Sequence, residues 1–204
     1  MYPDHGIKLM KELDVPCWIA GGYLLSCFTD KPWKDIDIFF PSKKVKQQAV
    51  DKMTQLGYNL INCYDENVIA GGAITFECED FMVDLMYNGV RPRQTIRGFD
   101  FTICCCSLDH EGMLEYHRDY FDDIKNKRIV YTGACQYSDL YRRLWRLRSY
   151  IHKGYGLDQQ GILGWIDGVI DQHNEVLQGW TKYRNEFETE RRPIKSSLFN
   201  SSLY

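Results

Sequence analysis

No apolar run in this 204-residue chain approaches the ~18 residues that a membrane-crossing helix needs, so a soluble protein is expected. An excess of positive charge is also lacking. The formal net charge is -3, which excludes a global positive field for nucleic acid and leaves open only a local basic face. There is no internal repeat and no low-complexity linker, which excludes a solenoid or a string of tethered modules. The segment MYPDHGIKLMKELD lacks the basic, apolar and cleavage-site layout of a signal peptide, and a reducing cytoplasm is expected despite eight cysteines. His5, His110, His117, His152 and His173 lack ligand-like spacing, so zinc is not expected.

What is present is enough for a real core. Hydrophobic residues make up 44% of the chain and aromatics 14%, sufficient for one domain or a compact pair. Ile7, Leu9, Met10 and Leu13 mark a short amphipathic helix, and Cys17-Trp18-Ile19-Ala20 reads as a buried strand. Gly21-Gly22 breaks that strand, and Tyr23 to Phe28 continues with helix-compatible residues. Asp35 to Phe40 alternates with period 2, which places Asp35 and Asp37 on one face and Ile36 and Ile38 on the other. Lys43 to Leu56 reads as a helix with Val45, Ala49, Val50, Met53 and Leu56 inward and lysines opposite. Strands are predicted around Ile74–Cys78, Phe81–Met86 and Phe99–Leu108. Cys104, Cys105 and Cys106 fall in the last of these and read as small buried hydrophobes, since alternating side chains make a poor tetrahedral clamp. After Gly133 the pattern turns helical, with Leu140, Leu144, Leu147 and Ile151 on one stripe. The expected organisation is a mixed α/β head over 1–133 and a small all-helical region over 134–204.

The chemistry is carried by carboxylates and glycines. Asp35 and Asp37, two apart on a strand, project side by side, an arrangement suited to sharing divalent cations. Asp84 lies inside the apolar stretch Phe81–Met86, where a lone carboxylate is expensive unless a metal or a hydrogen-bond partner compensates it, and it is the natural third ligand. Gly21-Gly22, between a strand and a helix, lets backbone N–H groups approach phosphate oxygens, with the positive end of the helix behind them. Either feature alone is weak. Their order, strand, Gly-Gly, helix, Asp-x-Asp strand, then Asp in an apolar strand, is much less easily accidental.

Trp18-Ile19-Ala20-Gly21-Gly22 with Lys34-Asp35-Ile36-Asp37-Ile38 resembles the DNA-polymerase-beta-type nucleotidyltransferase superfamily, and is similar to the head domain of poly(A) polymerases and tRNA CCA-adding enzymes. Arg97 to Ile103 resembles that family's Arg-Arg-Asp-Phe-Thr-Ile-Asn segment, and Phe121 to Val130 its Asp-Leu-x-x-x-x-Ile-Arg turn. Asp139-Leu140-Tyr141-Arg142, running on to Lys153-Gly154-Tyr155, resembles the Glu-Asp-x-x-Arg helix that opens the neck. The resemblance implies an α+β fold, a nucleotidyltransferase head with a small mixed β-sheet flanked by helices, followed by a helical neck-like region. It also implies Mg2+, or Mn2+ in its place, in a two-metal site at Asp35, Asp37 and Asp84, the catalytic carboxylates. Triphosphate contacts fall near Gly21, Gly22 and Asp100, and base recognition falls to Asp139 and Arg142. The implied partners are an NTP, ATP or CTP or both, and an RNA 3' end or another hydroxyl acceptor. Ser138 stands where the family has glutamate, Phe99 where it has its second arginine, and Cys104 where it has asparagine.

Arg142, Arg143, Arg146, Arg148 and Lys153 form a basic strip that reads either as a phosphate- or base-contacting face or as a solvated one. Gly71-Gly72 reads as a turn or bulge between strands, and Trp165, Trp180, Tyr183 and Phe187 as helical packing. Three functions fit: NMP transfer to an RNA 3' hydroxyl, nucleotidylation of a small molecule or protein, and a degenerate head used for binding. Retention of all three carboxylates argues against the last.

Overall fold

The computed structural model describes residues 4–64, 72–78, 80–133, 140–157, 159, 161–167 and 170. The chain divides into a compact unit, Met1–Gly164, which carries every element named below, and a second unit, Trp165–Tyr204. No helix among the described residues is long and apolar enough to cross a membrane.

The first unit is a mixed α+β fold on one seven-stranded sheet, ordered β3-β4-β5-β2-β1-β6-β7. Its strands are β1 (Trp18–Ala20), β2 (Asp35–Phe40), β3 (Asn59–Tyr64), β4 (Ala73–Cys78), β5 (Phe81–Tyr87), β6 (Cys106–Asp109) and β7 (Leu114–Tyr116). Its helices are α1 (Asp4–Leu13), α2 (Gly22–Thr29), α3 (Lys43–Gln55), α4 (Pro92–Arg97), α5 (Tyr120–Lys125) and α6 (Leu140–His152). β2 and β5 run parallel, and every other neighbouring pair is antiparallel.

Alternation along the central strands decides where the core lies. Ile36, Ile38 and Phe40 of β2 and Val83 and Leu85 of β5 are completely buried, together with Leu9, Met10 and Leu13 of α1, Leu24 of α2 and Met53 of α3. Each such side chain contributes roughly 1.5–3 kcal/mol by leaving water, so a one-residue register slip in β2 would expose its whole apolar set. Ser42 caps α3, its hydroxyl accepting from Val45 N–H at 3.2 Å. On the opposite sheet face Trp18, Ala20, Phe39, Ile96 and Cys105 form a smaller cluster with α4. That cluster covers only part of the face.

Several sequence expectations are corrected here. The run Phe99–Leu108 is not one strand: Thr102–Cys104 forms a turn of 3-10 helix, and the strand starts at Cys106. All three thiols are buried, but only Cys106 lies in a strand. Lys46 is buried rather than solvated, its ammonium donating to Gly72 C=O at 3.0 Å, and Leu56 is exposed. Among the described side chains of α6, Arg143, Leu147 and Tyr150 are buried, while Leu144 and Ile151 of the predicted apolar stripe are exposed. Arg143 is held by Tyr131, donating to its hydroxyl at 3.1 Å with the guanidinium 5.7 Å from the ring centre. Gly71, Trp180, Tyr183 and Phe187 lie outside the described residues.

Candidate functional site

Strand register assembles a polar row. Asn62 of β3 pairs with Thr75 of β4, Thr75 with Asp84 of β5, and Asp84 with Asp37 of β2. Asp35 lies two residues before Asp37 and therefore shares that face, opposite Ile36 and Ile38. The three predicted carboxylates thus belong to two neighbouring parallel strands, on the face that α1, α2 and α3 do not cover. Asp35 is exposed, and Asp37 and Asp84 are half-buried. The Thr75 hydroxyl donates to Asp84 Oδ1 at 2.5 Å, fixing that carboxylate.

Crowding of like charge has an electrostatic cost. Burial, then the neighbouring Asp35 and Asp84, pushes the Asp37 carboxyl up to about 8, while Arg146 opposes the shift. Asp84 is raised too, first by burial and then by Asp35, with the Thr75 hydrogen bond opposing. Among the described residues no three carboxylate, thiol or imidazole groups are gathered closely enough to enclose an ion alone. Carboxylate oxygens are nevertheless the donors that a hard divalent cation takes, and a bound cation would relieve the like-charge crowding that raises Asp37 and Asp84. The folded chain holds the Asp37 proton more tightly than the unfolded chain does. Its stabilising effect is therefore complete below the ordinary value of 3.8 and is lost as pH rises through about 8. In chelator-treated protein the melting temperature should fall across that window, and Asp37→Asn should flatten the fall. Equal slopes in the two proteins would disprove this electrostatic account.

The glycine turn sits against the carboxylates. Gly21 has φ +91°, which L side chains rarely adopt, and its N–H donates to Cys106 C=O at 3.1 Å. A Cβ at Gly21 would lie 3.7 Å from Asp37 Oδ2 and 3.8 Å from Phe99 Cζ. As the N-cap residue of α2, Gly21 brings no side-chain hydrogen bond to the helix start. Gly22 differs: its φ is ordinary, and a Cβ there would meet nothing closer than the Tyr150 hydroxyl at 4.0 Å. The fold itself does not require glycine at 22, and the space above it is open.

The remaining predicted residues divide. Asp100 is buried and ion-paired to Arg146 of α6, so it faces a protein cation. Asp139 and Ser138 lie outside the described residues, as does the side chain of Arg142, whose backbone belongs to α6. Two residues that the sequence reading left without a site role, Thr75 and Tyr150, stand here with Arg146, which it left between a phosphate- or base-contacting face and a solvated one. Thr75 orients Asp84, Arg146 links α6 to Asp100 and biases Asp37, and Tyr150 meets Cys104 Sγ at 2.8 Å beside the Gly21-Gly22 turn. Arg146 supplies a cation on the flank where Phe99 replaces arginine. Its position in a basic helix was the one available signal. The segments resembling the later family motifs are bound together: Thr102 donates to Asp123 Oδ2 at 2.5 Å, and Arg128 Nε donates to Asp123 Oδ1 at 2.7 Å.

The fold is that of a nucleotidyltransferase head. The chain is similar to a CCA-adding enzyme in complex with CTP, with 15% identity and a TM-score of 0.62 over 84% of this chain and 44% of the other. It is similar to a tRNA nucleotidyltransferase complexed with a primer tRNA and an incoming ATP analogue, with 17% identity and a TM-score of 0.60 over 80% and 49%. The Thermotoga maritima CCA-adding enzyme complexed with tRNA gives 16% identity and a TM-score of 0.60 over 80% and 40%. The chain thus spans less than half the length of these structures, and the likeness establishes fold. No curated protein matches. A family model described as Gabija anti-defense 2 family protein matches residues 2–127.

Proposed function

Since the chain belongs to the Gabija anti-defense 2 family and folds as a nucleotidyltransferase head, we propose that it transfers a nucleoside monophosphate from an NTP to a hydroxyl acceptor, an RNA 3' end in the first instance. The observation that carries this reading is the juxtaposition of Asp35, Asp37 and Asp84 with the Gly21-Gly22 turn. Asp35, Asp37 and Asp84 are the residues that would hold Mg2+, or Mn2+ in its place. When bound, such ions neutralise triphosphate charge and acidify the attacking hydroxyl. The backbone N–H groups at the start of α2 receive phosphate oxygens, and Arg146, braced by Asp100, adds positive charge on the same flank. The acceptor oxygen bonds to the α-phosphorus, the bond from that phosphorus to the bridging oxygen breaks, pyrophosphate leaves, and the hydroxyl proton passes to solvent. The division into a head over 1–133 and a helical region over 134–204, and a cytoplasmic location, belong to the same proposal.

The family description favours a second acceptor, a protein or small molecule of the Gabija defence. Purified chain with Mg2+ and each labelled NTP in turn, supplied with RNA, protein and metabolite fractions, identifies nucleotide and acceptor together. Absence of labelled product from every fraction would leave only a binding role for the head.

Gly22→Val should weaken NTP binding tenfold to a hundredfold, the scale of a lost charge-assisted hydrogen bond of ~1.5–3 kcal/mol, in a protein that still folds. Unchanged affinity in the folded variant would remove the phosphate role of the turn. Asp139 and Arg142, three apart in the sequence, are proposed to read the base, the carboxylate accepting from an exocyclic amine and the guanidinium donating to ring acceptors. Ser138 lacks the charge and reach of the family's glutamate, so discrimination among NTPs should be relaxed. Arg142→Ala should lower kcat/KM for nucleotide about tenfold to a hundredfold. Competition among the four NTPs measures both, and strict CTP-then-ATP addition would show that Ser138 is no handicap.

A further inference from the structure

On the β3–β4–β5 side of the carboxylates, away from the Gly21-Gly22 turn, lies a cavity of about 320 Å³ lined by Lys34, Asp35, Ile61, Asn62, Thr75, Met82 and Asp84. Its volume is near the lower end of small-ligand pockets, about 300–1,000 Å³, room for one ring-bearing group rather than a broad polymer track. Two of its walls are apolar and accessible, Ile61 being 44% and Met82 39% exposed. Neither exposure stabilises the fold. Ile61 falls at the irregularity in the β3–β4 register, between the paired residues Leu60 and Asn62. Such bulges re-aim a side chain, and here the residue affected lines the cavity. Asn62 accepts the Cys63 N–H at 2.9 Å through its carbonyl oxygen, leaving its amide nitrogen to donate to a ligand. Lys34 is the cationic group lining the cavity, and its carbonyl oxygen is fixed by Met82 N–H at 2.8 Å.

We infer that this cavity is the acceptor subsite and that it takes a nucleotide with a free ribose hydroxyl, the ring between Ile61 and Met82, a phosphate toward Lys34 and the hydroxyl toward Asp84. The inference rests on the nucleotidyl-transfer reading and specifies its acceptor. Phosphate donors at the start of α2 lie on one side of Asp37, and the cavity lies on the side of Asp84. Donor and acceptor thus approach the carboxylates from opposite flanks. A ring, a hydroxyl and one negative charge are together the chemistry of a nucleotide, whereas a serine or tyrosine of a protein brings no phosphate for Lys34. The hydroxyl oxygen bonds to the α-phosphorus of the NTP, pyrophosphate departs, and the proton is released through the open mouth of the cavity. An RNA 3' terminus and a free nucleotide offer the same group.

The test uses full-length chain with Mg2+ and a non-hydrolysable ATP analogue, probed by a short oligoribonucleotide ending in a photoreactive 4-thiouridine and, separately, by 4-thiouridine monophosphate. Cross-links on β3 to β5, reduced roughly tenfold or more in Ile61→Ala/Met82→Ala and in Met82→Ser with analogue binding unchanged, support the subsite. The oligonucleotide labelling better than the monophosphate identifies an RNA end, and the reverse identifies a free nucleotide. Cross-links elsewhere, or unchanged by both variants while the analogue still binds, overturn the subsite and leave nucleotidyl transfer standing. Wild-type protein that binds no analogue with Mg2+ overturns both. Because both substituted side chains are exposed, melting temperatures of the variants should match wild type.

Discussion

Asp35→Ala/Asp37→Ala is expected to lower nucleotidyl transfer by about a thousandfold or more, since cation stabilisation of the transferring phosphoryl group is worth several kcal/mol and each ~1.4 kcal/mol is a factor of ten. The same variant should lose the calorimetric signal of Mg2+ with NTP while keeping its fold. Asp35 is exposed and Asp37 half-buried, and neither has a role in the apolar core formed by Ile36, Ile38 and Phe40. In cation-free protein at neutral pH the variant should melt no lower than wild type, because it removes like-charge crowding beside Asp84. Comparable Mg2+ and NTP titrations for both proteins would dismiss the carboxylates as the metal site.

The second large effect is on stability and lies outside the carboxylate row. Asp123 is completely buried, paired with Arg128 at 2.5 Å and accepting from Thr102. Asp123→Ala leaves the buried hydroxyl and the partly exposed guanidinium without that acceptor, and because the Arg128 side chain is 38% exposed the cost falls at the lower end of that for breaking a buried pair, ~3 kcal/mol. With ~2–4 °C per kcal/mol for a chain of this size, the melting temperature should drop by roughly 6–12 °C. Asp122 is the control: it is adjacent and exposed, so Asp122→Ala should stay within ~0.5 kcal/mol of wild type. A drop of equal size in both variants would mean that α5, rather than the ion pair, carries the effect.

The two effects also mark what local pattern reveals. β1, the glycine turn, α2 and β2 were legible because their period changes within a short span and glycine punctuates it. The shared face of Asp35 and Asp37 follows from period 2 alone. β3, β7, α4 and α5 were not legible. Asn59–Tyr64 mixes polar and apolar residues around a register shift, and Leu114–Tyr116 and Pro92–Arg97 are too short to show a period. In α6 the leucine spacing placed Leu147 correctly but not Leu144 and Ile151, because burial of Arg143 goes with Tyr131 and that of Tyr150 with Cys104. Arg146 finds Asp100 at a separation of 46 residues, a partner that no window of helical length contains. Base recognition by Asp139 and Arg142 remains a proposal from resemblance, since neither side chain is among those described.

The parallel pairing of β2 with β5 has a consequence for biosynthesis. β2 is complete at Phe40, but its parallel neighbour begins only at Phe81, after α3 and the β3–β4 hairpin. At ~5–20 residues per second the ribosome takes roughly 2–8 s to supply the missing partner. Throughout that interval a strand ending Ile38-Phe39-Phe40 presents an unpaired edge, the kind of surface on which nascent chains aggregate. Asp35 and Asp37 place negative charge at the other end of that strand, and charged flanks of this type act as gatekeepers against intermolecular pairing. The carboxylates proposed to hold cations should therefore also protect the growing polypeptide, so that neutralising them increases the insoluble fraction on expression even where the finished protein is no less stable.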